Sequence, residues 1–522
     1  MGTLMRFTLR RERWIAPWWL AGMGALMALQ AVSSQNFYDT PAKLAQLRVT
    51  MGGNAAAVAM GGPTRLLDTI GGEVVFEIFA YLAITVALMN MFVIGRNTRA
   101  DEQSGRAELV RAARVGRRAP LLAALGAALV IDAAAAVVVA AAAALSGLPG
   151  PGSVLLGVAI GGVGITFAAA TAVAAQVFEN PRAVYGAVTL LVAAAYVARA
   201  VGDVGPQALS WTSPIGWGQR TYPYVTDRWW PVVIFAVVTC ALTVTAFLLA
   251  ERRDFGAGLL RPRTGRTGAS RLLTTPLGLT WRLQRASIAA WATGVLAVGV
   301  AYGSFADSIE QFLRDYPEIA AYLGGDTSEA VNSYLALTLS ILALPTAAFG
   351  VTVVQRARAE ELSGRAALVL TRPVSRARWL GAYLVVAMLG TALVLIAGGL
   401  GEGIAYALTA HDPGQVPRMV VSAVAYLPAV WVVVAVATAF FGLLPNLAAP
   451  AAWLYFGYVA VVTMFADAFD LPAWLAAASP LRHTALVPQT APEPLMLAAL
   501  VVASGLLAGA GLLGVRHRDI AG

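Results

Sequence analysis

The chain has 522 residues, 58% of them hydrophobic and only 12% charged, with a net charge of +9 and a mean hydropathy of +0.70. Soluble domains carry about 25% charged residues, so this composition excludes a soluble enzyme and a disordered tail. The single cysteine, Cys240, excludes an internal disulfide. Long apolar blocks suit membrane-crossing helices, not the alternating segments of a β-barrel.

From the N-terminus, Leu4 to Trp14 is basic, aromatic and amphipathic, which predicts a helix lying in the membrane interface. The run after it contains Pro17 and leads to no small-residue cleavage site, so the segment is read as retained. Blocks of spanning length then recur twelve times. The first six are 14–32, 72–95, 119–146, 153–177, 183–201 and 229–250. The second six are 286–304, 331–354, 379–408, 418–441, 450–468 and 494–515. Leu277 to Ile288 repeats the basic, aromatic character of the N-terminal segment before the seventh block. Between the first two spans of each set lie longer segments, 33–71 and 305–330. There Pro41 and Pro317 suit a first helical turn, and Ile309, Phe312, Leu313 and Tyr316 fall on one helix face. Segments 202–228 and 469–493, rich in Pro and Trp, precede the sixth and twelfth spans.

Basic residues set the orientation. With a cytoplasmic N-terminus, 28 of the 37 basic residues fall on the inner side and eight on the outer, with Arg199 at a span end. That places both termini in the cytoplasm and requires an even number of spans. It also assigns the charge to loop flanks, so nucleic acid is not expected as a partner.

The chain repeats itself. Arg99 to Arg118 matches Arg358 to Ala377 at a spacing of 259, with eleven of twenty positions identical. Arg10 and Arg13 before Trp19 match Arg282 and Arg285 before Trp291. Ser213-Pro214 matches Ser479-Pro480, and Arg253-Asp254 matches Arg518-Asp519. The order is preserved, so the halves form a tandem repeat of parallel topology. The expected division is a first half 1–250, a mobile Arg/Gly/Thr-rich linker 251–275 and a second half 276–522. The fold expected is all-α: an integral membrane protein with twelve transmembrane helices in two six-helix halves.

In each half the repeated loop follows the second span. Acids open it (Asp101 and Glu102; Glu360 and Glu361), Ser-Gly-Arg follows, then Leu-Val. The second copy closes with Leu-Thr-Arg-Pro-Val-Ser-Arg, where Pro373 stops a helix; in the first copy Ala113-Arg114 stands at that place. This loop resembles the coupling helix of ABC-2-type permeases, which carry a Glu, a Gly-containing turn, an apolar pair and Thr-Pro-Val-Ser-Arg. Glu361, Gly364, Arg365, Leu368, Thr371, Pro373, Val374, Ser375 and Arg376 carry the likeness in the second copy. Arg99, Glu102, Gly105, Arg106 and Leu109 carry it in the first. The fused twelve-span form is similar to the actinobacterial antibiotic and multidrug (polyketide antibiotic) exporter permeases.

The resemblance implies a type V exporter-like permease in the bacterial cytoplasmic membrane. It implies two copies of a nucleotide-binding ATPase subunit as partners, with ATP and Mg on that partner and no cofactor on this chain. The cargo implied is an amphipathic small molecule: an antibiotic, drug or lipid. Glu361 and Arg365, four residues apart, are expected to pair along one helix face or to reach a groove on the ATPase, as are Glu102 and Arg106.

The chain carries no P-loop of its own, because that motif needs a lysine and the only one is Lys43, outside any such motif. His411, His483 and His517 are far apart and form no metal-ligand spacing. Ionisable residues inside spans are candidates for a cavity or gate: Asp132 in mid-span, Glu402 towards an outer end, and Glu73 and Glu77 one turn apart at the start of the second span. An ion-coupled secondary drug or lipid carrier is the alternative. It normally uses several aligned acids or histidines, which the sequence does not display. A lipid-modifying enzyme ranks last, since no catalytic cluster is evident.

Overall fold

The computed structural model describes residues 2–112, 116–260, 268–315, 327–465 and 472–518. Among them there are helices and no strand. The chain divides into two compact units, Met1–Gly265 and Arg266–Gly522.

Unit one contains α1 (Gly2–Glu12), α2 (Ala16–Phe37), α3 (Pro41–Gly52), α4 (Ala55–Gly61), α5 (Ile70–Arg96), α6 (Arg99–Gln103), α7 (Arg106–Arg111), α8 (Ala119–Leu145), α9 (Gly150–Val177), α10 (Pro181–Val204), α11 (Pro214–Gln219) and α12 (Trp230–Arg252). Unit two contains α13 (Pro276–Asp315), α14 (Thr327–Leu362), α15 (Arg365–Leu370), α16 (Arg376–Ala410), α17 (Gln415–Ala425), α18 (Leu427–Leu443), α19 (Ala448–Phe465), α20 (Ala473–Ala477) and α21 (Pro494–His517).

Local chemistry starts these helices. Proline stands in the first turn of α2, α3, α8, α9, α10, α12, α18 and α21, where a missing N–H costs nothing. Thr69 caps α5 by accepting from the Gly72 amide at 3.0 Å, and Ser375 caps α16 by accepting from the Arg378 amide at 3.2 Å. Inside a bilayer every backbone polar group must be met within the segment, which a continuous helix does.

Among the described residues ten helices are long and apolar enough to cross a membrane, or eleven if the bent pair α1–α2 counts as one. Two expected spans are not among those ten. The block 14–32 lies in a pair bent by 61°, and 450–468 is described as an apolar helix over Ala448–Met464. The long blocks at 119–146 and 379–408 are each one unbroken helix.

Burial ranks the helices. The apolar window of α5 is 72% buried and that of α14 78%, against 11% for α12 and 22% for α21. The second long helix of each unit is therefore its core, and the last lies at its edge, facing lipid along most of its length. Each core helix leads directly into the duplicated loop.

The amphipathic segment before the first span is a separate helix, α1, as expected. The segment 277–288 is not separate: α13 runs unbroken from Pro276 to Asp315. Pro17 explains the difference. It lacks an amide and restricts the residue before it, so the helix breaks there, whereas Ala289 stands at the matching position of unit two. Short helices occur in both remaining outer regions of unit one (α3 and α4; α11). The expected face of Ile309, Phe312, Leu313 and Tyr316, and Pro317 itself, lie outside the described side chains. The linker is held over its first part: the amides of Leu259 and Leu260 donate to the carbonyls of Gln176 and Val177 at 3.2 and 3.0 Å.

Candidate functional site

Both loops turn at a glycine. Gly105 has φ +74° and Gly364 φ +71°, a left-handed conformation that L side chains adopt only with strain. No neighbouring atom would meet a Cβ at either, so backbone conformation alone selects glycine. The turn stops one helix and starts another across only two residues, Ser104-Gly105 and Ser363-Gly364, and so presents the short helices α7 and α15.

Those helices expose apolar side chains at matched positions. Leu109 is 77% exposed and Leu368 73%. Arg106 and Arg365 are exposed beside them. Pro373 lies after the end of α15, with Ser375 capping the next helix. Ala113 and Arg114, at the corresponding place in unit one, lie outside the described residues.

The acids face the other way, which corrects the expected pairing of Glu361 with Arg365 and of Glu102 with Arg106. Glu361 is 2% exposed. It accepts from Arg358 at 2.9 Å and from Arg518 through both oxygens, at 2.7 and 2.6 Å. Glu102 sits between Arg99 at 2.8 Å and Arg253 at 2.9 and 2.5 Å. Arg99 is itself buried and donates to the carbonyls of Ala175 and Ala257. Arg365 pairs instead with Glu360 at 2.7 Å, and Arg106 stands 3.6 Å from Asp101. The reason is desolvation: a carboxylate carried into the protein by the helix end needs cations that are also buried, and the exposed arginines are not. The Glu360 carboxylate raises the pKa of the Arg365 guanidinium above its ordinary value.

The sequence alone did not connect Arg253 and Arg518 to these acids. The signal was present in the repeated Arg-Asp at each half's end, but the partners are 151 and 157 residues away.

In unit one, α1 is tied to the loop region. Arg11 donates to Asp101 at 2.7 Å, and Glu12 accepts from Arg96 at 2.6 Å and Asn97 at 2.9 Å. A cavity of about 260 Å³ opens beside this cluster, lined among others by Asp101, Glu102, Arg117, Gln176 and Arg253.

The remaining candidates lie in the long helices, Glu73, Glu77 and Asp132 in unit one and Glu402 in unit two. Asp132, midway along α8, is buried and accepts from Asn90 of α5 at 2.7 Å. Glu402, in the last third of α16, is fully buried and accepts from Thr338 of α14 at 2.6 Å. Glu73 is buried in the first turn of α5 beside Ser34, with Glu77 half-buried one turn on. One oxygen each of Glu73, Asp132 and Glu402 has no hydrogen-bond partner among the described residues. Asn90 and Thr338, the neutral residues that hold two of these acids, carry no sequence signature. Among the described residues no group of His, Cys, Asp and Glu could hold a metal ion.

The family described as the multidrug efflux system permease Rv1217c, C-terminal domain, matches residues 273–516. The whole chain is 32% identical over 523 aligned positions to the multidrug efflux system permease protein Rv1217c of Mycobacterium tuberculosis (strain ATCC 25618 / H37Rv). That alignment covers 99% of this chain and 94% of the relative. The chain therefore belongs to the family of the multidrug efflux permease Rv1217c, a family of membrane proteins.

Proposed function

We propose that the protein is the membrane-spanning permease of an ATP-binding-cassette exporter that moves amphipathic drugs out of the cell. ATP and Mg are held and hydrolysed by a separate nucleotide-binding subunit. Twelve spans in two parallel six-helix halves, with both termini in the cytoplasm, complete the reading; the arginine distribution supports the orientation.

One observation carries it. The same loop geometry occurs twice, each time turning at a left-handed glycine and projecting a bare leucine, Leu109 or Leu368, beside an arginine. A leucine left in water forgoes about 1.5–3 kcal/mol available on burial, and such a residue rimmed by charge suits a pocket on a partner. Two such projections suit two copies of the ATPase. The fixed turn gives the contact the rigidity that passing on a movement requires.

Co-purification of the permease with a candidate nucleotide-binding subunit from the same organism, read by native mass spectrometry, tests this. One permease should carry two ATPase subunits. Leu109→Asp together with Leu368→Asp should lower that binding at least tenfold and leave membrane insertion intact. Equal binding by the double variant removes the loops from the ATPase contact, and no binding by the native chain overturns the reading.

The buried acids favour a second reading, an ion-coupled carrier, since a carboxyl with an unpartnered oxygen inside a span could exchange a cation. Under the proposed function Asp132→Asn and Glu402→Gln still export drug when the proton gradient is collapsed. Loss of export in both, with normal assembly, would favour the carrier.

A further inference from the structure

The same four-residue arrangement stands at the loop of each half. Arg99 and Arg253 flank Glu102, and Arg358 and Arg518 flank Glu361. A fourth residue holds the backbone in place: Arg117 donates to the Arg253 carbonyl, and Arg376 to the Arg518 carbonyl. Arg99, Glu102 and Arg117 match Arg358, Glu361 and Arg376 at the spacing of 259. Arg253 and Arg518 come from the chain just after the last long helix, α12 and α21 respectively.

Charge balance does not require the distant arginine. Arg99 and Arg358 lie three residues before their glutamates and already neutralise them. The second cation leaves each cluster with an excess positive charge that must be kept largely out of water, and a buried ion pair adds little net stability. What it adds is a fixed geometry. Arg253 is bidentate on Glu102, with Nη1 and Nη2 each donating to one oxygen, and Arg518 Nη2 donates to both Glu361 oxygens. The remaining contacts anchor each arginine to its own half. Arg253 donates to the Gln176 side chain at 2.6 Å, and Arg518 lies 4.7 Å over the ring of Phe441. The loop helices otherwise pack mainly on the helix they follow.

We infer that Arg253 and Arg518 are positioning residues that fasten each loop to the last helix of its half, so that loop and last helix move as one body. The inference deepens the proposed function: a displacement imposed on the loop by the ATPase reaches the lipid-facing edge helix as well as the core helix.

The test uses the full chain in lipid nanodiscs, with Cys240→Ser as background. Spin labels go on Leu368→Cys and Leu513→Cys, both exposed, and distances are read by double electron–electron resonance. The native link gives one narrow distance. Arg518→Gln should at least double the width of the distribution, Arg518→Lys should fall between, and Glu361→Gln with Arg518→Gln should be no wider than either alone. The pair Leu109→Cys and Leu248→Cys should respond likewise to Arg253→Gln. In the unlabelled complex, Arg253→Gln with Arg518→Gln should keep the nucleotide-binding subunit bound. The ethidium-dependent part of ATP hydrolysis should fall at least fivefold.

Unchanged widths overturn the inference, as does a lowered melting temperature with width and hydrolysis both intact. If the glutamine variant does not assemble, an unchanged width in Arg518→Lys overturns it. Failure of the native permease to bind the nucleotide-binding subunit sinks the proposed function alone, because the distances are read without that subunit.

Discussion

The two halves solve one problem with different chemistry. Each must hold a glutamate where its core helix passes into the loop, and each does so with an arginine three residues before it and another from the end of the half. Around that shared clamp the halves diverge. In the first, the distant arginine is steadied by the polar Gln176; in the second, by the face of Phe441. In the first, Asp101 is held by Arg11 of a separate N-terminal helix; in the second, Glu360 is held by Arg365 and Arg356 of its own loop region. The latch follows from the break. Once Pro17 frees α1 as an independent element, charges must tie it down, and where α13 is continuous the helix itself does so. Duplication kept the parts that set the loop's position and released those that support it.

The largest contrast should come from the clamp acids. Glu361→Ala strands two arginines whose partner was almost fully buried and should cost about 3–5 kcal/mol. Glu102→Ala should cost less, because its side chain is 11% exposed and Arg99 keeps two carbonyl partners. Thermal unfolding in detergent reads both; equal losses would mean that the clamps are energetically equivalent.

The helix break should be transferable in one direction. The helix continuity at position 289 is lost in Ala289→Pro, which should destabilise unit two by roughly 3 kcal/mol and bend α13. Pro17→Ala should change stability little, since Arg11–Asp101 and Glu12–Arg96 still hold α1 at its angle. Spin-label distances across each junction would show whether the latch or the proline sets the 61° bend.

Helix packing differs in tolerance from one contact to another. A Cβ on Gly303 would overlap the Glu402 carbonyl, so α13 and α16 touch backbone to backbone. In unit one a Cβ on Gly24 would stand 2.8 Å from a methyl of Val138, a side chain able to move. Gly303→Ala should therefore cost about 1–3 kcal/mol by overpacking, and Gly24→Ala less, by the same unfolding measurement.

The smallest difference should lie in the supports. Phe441→Leu removes a ring contact with an arginine held largely out of water, about 2 kcal/mol. Gln176→Leu removes a hydrogen bond from a largely buried arginine, about 1.5–3 kcal/mol when the partner is charged. If Phe441→Leu costs more than Gln176→Leu, the ring is the stronger support.

Much of this was legible in the chain itself. Apolar blocks placed nearly all the long helices, because lipid and water sort segments by local hydropathy. The repeat located both loops, and Ser-Gly-Arg marked their turns, because a left-handed residue is a local demand that glycine meets. Leu109 and Leu368 could be named because the coupling helix that the loop resembles carries an apolar pair after its turn. The partners of the acids could not. Glu361 and Arg365 are neighbours in any helical reading, yet the turn at Gly364 ends the helix between them, and burial sends Glu361 to Arg518. Which residues Asp132 and Glu402 meet was likewise decided by how α5 packs on α8 and α14 on α16. Local sequence fixes what depends on a few consecutive residues and their solvent; the pairing of buried charges depends on which distant helix ends arrive together, and only the packed fold decides that.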